Sequence, residues 1–280
     1  MIPPRSWLFV PADSERKIEK ALESEADAVI FDLEDSVVPD RKAIAREILK
    51  SLPERSDGPQ WWVRVNPLGT EFHRHDLELI GSADIHGIVL PKAESGTDVI
   101  ELSHRTGTIP VHAIVTETAA SLFGLLSYRR PGSPLAAMSW GAEDLSAALG
   151  ATSKYDRDGN LSFTYRLARS LCLAGAAAAG VQPVDGVFAD FRDEEGLKTE
   201  AEAARHEGFT GKLAIHPAQV GVINAAFTPS LEEVRHAAEI VAAFEANPNA
   251  GVLSVGGKMV DRPHLVQARR IVERAAREQD

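Results

Sequence analysis

Eight short apolar runs recur along the 280-residue chain, and nearly every run has a polar or ionisable residue at its end. Segments with helical spacing separate them. The runs do not alternate strictly between apolar and polar residues, which is typical of parallel strands that are buried on both faces. The runs are residues 6–12, 28–35, 61–67, 87–93, 111–118, 136–144, 186–191 and 212–217. Eight strand–helix units in a chain of this length predict an α/β fold, the (β/α)8 TIM barrel.

An open, doubly wound sheet is the competing architecture. The barrel is favoured because it brings the carboxyl ends of all its strands to one mouth, whereas an open sheet spreads them along an edge. The residues that would meet at this mouth are Glu34, Asp35, Arg64, Lys92, Glu117, Asp144, Asp190 and His216. We therefore expect a barrel with a strongly charged mouth.

The chain continues well beyond the eighth run. We predict a TIM-barrel catalytic domain over residues 1–228, and a segment 229–280 that holds the last barrel helix and a C-terminal helical extension. In this extension a glycine-rich stretch leads to Asp261, and a final helix starts near Pro263. Because glycine permits many backbone conformations, the stretch could lie across the mouth of a neighbouring subunit.

Two local patterns mark helix starts. Ser95 with Asp98, and Ser230 with Glu233, have the spacing of capping boxes. We expect them at the N-termini of the fourth helix and of the last barrel helix.

Composition and charge exclude several classes of protein. The 30 Lys and Arg against 41 Asp and Glu give a net charge of −11, without the basic character of a nucleic-acid-binding domain. Cys172 is the only cysteine, so no intrachain disulfide can form. A membrane-spanning helix needs about 20 apolar residues, and no apolar run here is that long. The first residues lack the apolar core of a signal peptide. We expect a cytoplasmic protein that binds neither nucleic acid nor membranes.

Glu117 and Asp144 lie at the ends of consecutive runs, so their carboxylates would lie side by side at the mouth. Adjacent carboxylates repel each other unless a cation lies between them. Mg²⁺ suits such a pair because it is often held by one or two carboxylates together with water or substrate oxygens. Alternatively, each acid is a helix cap or a surface residue, and spacing alone weighs the two interpretations equally.

Arg64 is a charge within an otherwise apolar run and needs an anion. A substrate carboxylate held by the two parallel N–H bonds of its guanidinium is the favoured partner. An internal ion pair with Asp32 or Glu34 is the alternative. Lys92 could reach the same acids, either in catalysis or in charge balance.

Eight phrases, found in order between about Ser6 and Ala275, together resemble the citrate lyase beta subunit-like proteins, the acyl-CoA lyase branch of the HpcH/HpaI aldolase and citrate lyase family. The phrases are SWLFVPADSER, DAVIFDLEDSV, VRVNPLGT, LPKAES, ETA, WGAEDL, IHPAQV and KMVDRP. The resemblance implies a Mg²⁺-dependent homotrimer or hexamer. Its reaction would cleave or form a 3-hydroxyacyl-CoA, such as citryl-CoA, citramalyl-CoA or malyl-CoA, with acetyl-CoA and a 2-oxo acid as the other partners.

The resemblance also implies roles by position. Glu117 and Asp144 match the metal ligands, and Arg64 matches the arginine on the substrate carboxylate or keto oxygen. Asp261 matches an acid/base residue that a neighbouring subunit's C-terminal segment contributes.

Further contacts follow from the same resemblance. The backbone amides of Gly141 and Ala142 would help to hold the 2-oxo acid. Arg16, Lys20 and Lys42, from the first two strand–helix connections, are candidate contacts to CoA.

Three other functions stay open at this point. One is a beta subunit that acts only in a citrate lyase complex, on a carrier-protein thioester. Another is a free 2-oxo acid (pyruvate) class II aldolase, although those enzymes carry a catalytic histidine where this chain reads FDLEDSV. The third is a non-catalytic protein that binds a metal or carboxylate on the same fold.

Overall fold

Among residues 3–53, 57–81 and 83–277, which the computed structural model describes, eight parallel strands close into a barrel. Each strand is hydrogen-bonded to the next, and the eighth pairs with the first. The strands are β1 Ser6–Pro11, β2 Ala28–Asp32, β3 Gln60–Arg64, β4 Gly87–Leu90, β5 Val111–Ile114, β6 Leu135–Ser139, β7 Gln182–Asp185 and β8 Gly211–Ala214. This confirms the predicted (β/α)8 barrel.

Helices follow the strands around the barrel. They are α1 Glu15–Leu22, α2 Lys42–Ser51, α3 Glu71–Ile80, α4 Gly96–Thr106, α5 Ser121–Gly124, α6 Ala142–Ala148, α7 Phe163–Ala179, α8 Glu194–Glu207 and α9 Val220–Phe227. Short 3-10 helices lie at Pro39–Arg41, Leu125–Tyr128 and Pro217–Gln219. We find no helix in these described residues with the length and apolar composition that crossing a membrane requires.

Every strand contributes to the barrel interior, which is filled with apolar side chains. The buried members are Trp7, Ala28, Ile30, Trp62, Val89, Ile114, Ala137, Val184 and Leu213. Gly87 makes room for the largest of them, because a Cβ atom there would lie 2.2 Å from the Trp62 ring. The barrel is therefore a packed core whose chemistry is confined to its ends.

The seventh predicted strand is wrong. Residues 186–191 form a connection, and β7 is the preceding segment Gln182–Asp185. The apolar pattern does not reveal β7 because its first and last residues, Gln182 and Asp185, are polar. Both side chains have partners in the folded protein. Gln182 donates to the carbonyl of Pro4 at 2.7 Å, and Asp185 lies in a buried ion-pair network.

Contacts divide the chain into two compact units, Pro3–Asn224 and the residues from Ala225 onward. The second unit contains helix α10 (Leu231–Ala246), the antiparallel strands β9 (Val252–Val255) and β10 (Lys258–Asp261), and helix α11 (Arg262–Arg277). It has its own apolar core. That core consists of Ala237, Ile240, Phe244, Val255, Val260, Leu265 and Ala268.

The glycine-rich stretch forms an ordered hairpin turn. Gly256 and Gly257, with φ of 58° and 76°, form the two-residue turn of a hairpin between β9 and β10. Two consecutive positive φ angles match the right-handed twist of the flanking strands, which explains the paired glycines. The two predicted capping boxes are present at the starts of α4 and α10.

Asp185 organises a buried ionic network outside the core. Its carboxylate accepts from Lys212 Nζ at 2.9 Å, Arg169 Nε at 2.8 Å and Trp140 Nε1 at 2.8 Å. Lys212 also donates to Glu200 at 2.7 Å, so the network links the barrel wall to α7 and α8. Burial would raise the pKa of Asp185, but the charges of Lys212 and Arg169 outweigh it and lower this pKa to about 2.

We expect Asp185→Asn to lower the free energy of unfolding by about 3 kcal/mol, because removing one partner leaves buried positive charge without its counter-ion. Urea denaturation at pH 7 measures the loss. Glu47→Gln, which breaks an exposed pair with Lys50, is the control and should change stability by less than about 0.5 kcal/mol. Equal effects of the two substitutions would contradict a structural role for the network.

His112 lies inside the barrel between aromatic rings. Its ring centroid is 4.6 Å from that of Trp7 and 6.5 Å from that of Trp62. Neither ring nitrogen has a hydrogen-bond partner among the described residues. Burial lowers the pKa of His112 to about 3, so the imidazole stays neutral in the folded protein throughout the physiological pH range.

The unfolded chain takes up a proton at this histidine below pH about 6.5, whereas the folded chain does not until about pH 3. The stability therefore falls as pH decreases through this window, and the contribution of His112 is about 2 kcal/mol between pH 7 and pH 5. His112→Phe should remove this part of the decrease in urea denaturation at the two pH values. His104→Gln, on the exposed surface of α4, should leave it intact.

Candidate active site

The ends of β2 to β6 bring the predicted charged residues together at the barrel mouth. Asp32 and Arg64 are the last residues of β2 and β3, and they are register partners. Lys92 and Glu117 lie two and three residues beyond β4 and β5, while Asp144 is in the first turn of α6. The site is therefore assembled from strand ends and from the connections that directly follow them.

Arg64 is held by two acids. Its Nε and Nη2 donate to Asp32 Oδ1 and Oδ2 at 2.7 and 2.6 Å, and its Nη1 lies 3.0 Å from Glu34 Oε2. We predicted a substrate carboxylate on this bidentate edge, with an ion pair to Asp32 or Glu34 as the alternative; in this structure Asp32 occupies the edge and both ion pairs are present. The guanidinium has five N–H donors, so at least two of them remain for another ligand.

The same pairing decides the protonation of these groups. Burial would raise the pKa of Asp32, but the charge and hydrogen bonds of Arg64 outweigh it and hold this pKa below its usual value. Burial would lower the pKa of Arg64, and its acidic neighbours more than compensate. The pair is therefore ionised and fixed in orientation.

Lys92 lies among the remaining acids. Its ammonium contacts Glu34 and lies 3.3 Å from Asp144 Oδ1 and 3.6 Å from Asp35 Oδ2. Among the described residues it is the only non-glycine with a positive φ, 52°. Its backbone N–H donates to Glu117 Oε2 at 2.5 Å.

Glu117 is buried in a site that disfavours its charge. Burial, helped by the charges of Asp144 and Glu34, raises the pKa of Glu117 to about 8, against the opposing contributions of the Lys92 N–H and Arg64. Gly141 leaves space for this side chain, because a Cβ atom there would lie 2.7 Å from Glu117 Cγ.

The Gly141 amide is engaged within the protein. It donates to Thr116 Oγ1 at 3.1 Å, which corrects our expectation that it is a ligand of the 2-oxo acid. Ala142 is the first residue of α6, and its N–H has no acceptor within the helix.

Glu117 and Asp144 are the residues that could hold a metal. In the described part of the chain, no group of three or more His, Cys, Asp or Glu side chains has the arrangement of a metal site. Two carboxylates that leave most positions to water or substrate oxygens fit Mg²⁺, and a buried carboxyl of raised pKa is stabilised by a dication.

Lys42 is not available to CoA. Its ammonium is buried and donates to the carbonyls of Leu33 and Glu34 at 2.7 and 2.8 Å. The prediction for this residue is wrong because the turn after β2 needs a donor for two buried carbonyl groups.

The other predicted CoA contacts lie on the exposed side of α1. Lys20, together with Lys17, lines a cavity of about 850 Å³ between α1 and the chain that follows β8. Arg16 is exposed but does not line it. The sequence pattern did not single out Lys17, although it shares its helix face with Lys20 at i, i+3. His216, which we predicted at the barrel mouth, lines the opposite wall of this cavity.

Asp261 is the N-terminal neighbour of α11 in the second unit. Its Oδ1 lies 2.5 Å from His264 Nδ1 and 3.5 Å from the His264 backbone nitrogen, which is a helix-capping arrangement. The hydrogen bond from His264 lowers the pKa of Asp261. Val252 and Met259 share its face of the hairpin and are 58% and 65% exposed.

Comparisons with known proteins agree with the geometry. Residues 5–217 match the HpcH/HpaI aldolase/citrate lyase family. A (3S)-malyl-CoA thioesterase of Cereibacter sphaeroides is 39% identical over 280 residues, which cover 98% of this chain and 95% of the relative. The mitochondrial citramalyl-CoA lyase of Rattus norvegicus is 34% identical over 97% of this chain and 86% of its own length.

A solved structure extends the likeness to the fold. The CitE protein of Mycobacterium tuberculosis, in complex with magnesium, acetoacetate and coenzyme A, superimposes with a TM-score of 0.84. It is 37% identical, and the match covers 98% of both chains. These findings confirm the resemblance found in the sequence, and the chain belongs to the HpcH/HpaI aldolase/citrate lyase family.

Proposed function

We propose that this protein is a Mg²⁺-dependent carbon–carbon lyase. It would cleave, or form, a 3-hydroxyacyl-CoA such as citryl-CoA, citramalyl-CoA or malyl-CoA, with acetyl-CoA and a 2-oxo acid as the products of cleavage. The observation that carries the proposal is the pair Glu117 and Asp144 at the mouth, where a buried carboxyl of raised pKa adjoins a second carboxylate. The magnesium and CoA in the M. tuberculosis CitE complex, and the citramalyl-CoA lyase relative, support it.

The residues of the mouth divide the work. Glu117 and Asp144 hold Mg²⁺, which supplies positive charge to an oxygen of the 2-oxo acid as negative charge develops there. Arg64, oriented by Asp32, directs its remaining N–H groups to the carboxylate or keto oxygen of the same acid. The Ala142 N–H, at the start of α6, is a further donor to it.

We assign CoA binding to the cavity beside α1. Lys17 and Lys20 line this cavity together with Glu23 and Glu25, and the two ammonium groups could pair with the phosphates of CoA. Arg16 lies on the same helix. Lys42 takes no part because its ammonium is committed to backbone carbonyls.

Cleavage also needs a proton acceptor. A base removes the proton of the substrate hydroxyl, the carbon–carbon bond breaks, and the electron pair passes to the acetyl-CoA enolate, which then takes up a proton. We assign the base to Asp261 of a neighbouring copy in a homotrimer or hexamer. The exposed apolar side chains of Val252 and Met259, on the same hairpin face as Asp261, support this assignment because such a surface suits contact with another copy.

Thioester hydrolysis is the second candidate function. The (3S)-malyl-CoA thioesterase relative favours it, with 39% identity over nearly the whole chain. Hydrolysis of malyl-CoA would give malate and free CoA, whereas the lyase reaction gives glyoxylate and acetyl-CoA. The two functions therefore differ in their products even where they share a substrate.

We expect purified protein with Mg²⁺ to convert at least one of citryl-CoA, citramalyl-CoA and malyl-CoA into acetyl-CoA and the matching 2-oxo acid. Chromatography of the CoA species measures both products. Glu117→Gln should lower turnover by about 10²-fold or more, because it weakens the binding of the Mg²⁺ that would balance the developing negative charge on oxygen. Glu143→Gln, one residue from Asp144 and paired with Lys154, is the matched control and should keep it.

If free CoA and malate were the main products, they would contradict the lyase function and support thioester hydrolysis. An absence of turnover on all three CoA thioesters would contradict both and favour a carrier-protein thioester as the substrate.

The assignment of Asp261 to a neighbouring site predicts complementation. Asp261→Ala and Glu117→Ala proteins should each be inactive, and an equal mixture after subunit exchange should regain about a quarter of the wild-type activity, the share of sites in which two intact residues meet by chance. Each variant exchanged with itself is the control. A helix-capping role alone would instead lower the melting temperature of Asp261→Ala and give no recovery on mixing.

A further inference from the structure

Lys92 contacts both proposed metal ligands from a single residue. Its backbone N–H donates to Glu117 Oε2 at 2.5 Å, and its ammonium lies 3.3 Å from Asp144 Oδ1. Glu117 follows β5 and Asp144 belongs to α6, so Lys92 connects two separate elements of the site.

The backbone of Lys92 is adapted to this double contact. Its φ of 52° lies in the left-handed region, which costs free energy for any residue with a Cβ atom. Such conformations persist where the surrounding structure fixes them, and they concentrate at functional sites. Here the conformation accompanies a short hydrogen bond to a buried carboxyl group.

The ammonium has other acids within reach. It contacts Glu34 and lies 3.6 Å from Asp35 Oδ2, while Arg64 is committed to Asp32 and Glu34. Lys92 is thus the cationic side chain beside Asp144, and Glu34 and Asp35 could keep it paired if it left Asp144.

We propose that Lys92 is a resident counter-ion of the metal site, whose ammonium competes with a divalent cation for Asp144 while its backbone N–H holds Glu117 in position. The inference rests on the proposed function, because it takes Glu117 and Asp144 as the ligands. Like charges a few ångströms apart repel each other strongly in a partly buried site. The ammonium therefore weakens metal binding, and metal binding moves it towards Glu34 and Asp35.

The test is direct metal binding, measured by isothermal titration with Mg²⁺ and by electron paramagnetic resonance with Mn²⁺. Lys92→Met removes the charge, and we expect it to bind both ions more tightly by about tenfold, since a repulsive neighbour is lost. Lys92→Gly also removes the charge but suits the left-handed backbone and keeps the N–H donor, so it should shift affinity in the same direction. Lys92→Arg keeps the charge and should stay within about twofold of the wild type.

Lys154→Met is the matched control. Lys154 pairs with Glu143, the residue before Asp144, so this variant removes a nearby positive charge without touching a proposed ligand. Its metal affinity should stay within about twofold of the wild type, because the Lys154 ammonium is paired with Glu143 and not with Asp144. Tightening equal to that of Lys92→Met would mean that net charge alone sets the affinity, and would overturn the proposal.

Thermal unfolding provides a second readout. A ligand that binds only the folded state raises its stability in proportion to the logarithm of affinity, so added Mg²⁺ should raise the melting temperature of Lys92→Met more than that of the wild type. Unchanged or weaker binding in both Lys92→Met and Lys92→Gly would overturn the role of Lys92 alone. A wild-type protein that binds neither ion would overturn the metal site itself, and with it this inference.

Discussion

An excess of negative charge at the barrel mouth underlies the rest of the site. In the described structure, the side chains of Asp32, Glu34, Asp35, Glu117 and Asp144 gather around two cations, Arg64 and Lys92. Arg64 pairs with both Asp32 and Glu34. Burial raises the pKa of Glu117, and the charges of Asp144 and Glu34 add to this effect. A dication is the chemical group that would complete this balance, since it can bind two carboxylates at once.

Backbone geometry maintains this unfavourable arrangement. Lys92 adopts a left-handed conformation to direct its N–H to Glu117, and Gly141 lacks the Cβ atom that would collide with the same side chain. Both features reduce local stability. The left-handed backbone of Lys92 is unfavourable for a residue with a Cβ atom, and Gly141 has no side chain that could pack. They are explained by the position of Glu117 and not by the closure of the barrel, which its apolar interior and strand pairing already secure.

The sequence predicts the barrel well because the strand–helix pattern occurs eight times along the chain. Pairing between individual side chains produces no such repeated pattern. Seven of the eight runs overlap observed strands, and β7 escapes because Asp185 is polar yet buried by Lys212 and Arg169. Spacing correctly brings Arg64 to the mouth, but only strand register reveals that Asp32 is its direct neighbour. The prediction that Lys42 contacts CoA is wrong for the same reason. Its ammonium donates to two backbone carbonyl groups, and no pattern of residue types predicts such contacts.

The pairing at the mouth also bears on where the proposed catalytic base must lie. Asp32 and Glu34 contact Arg64, Asp35 and Asp144 face Lys92, and Glu117 is a proposed metal ligand. Each carboxylate of this group thus has a cationic partner or a metal to bind. Asp261 differs because it is partly exposed and its partner is His264, a residue that can itself carry a proton. On the proposed function, the barrel supplies the cations that act on the 2-oxo acid, and the second unit supplies the proton chemistry, so that neither unit is sufficient for catalysis.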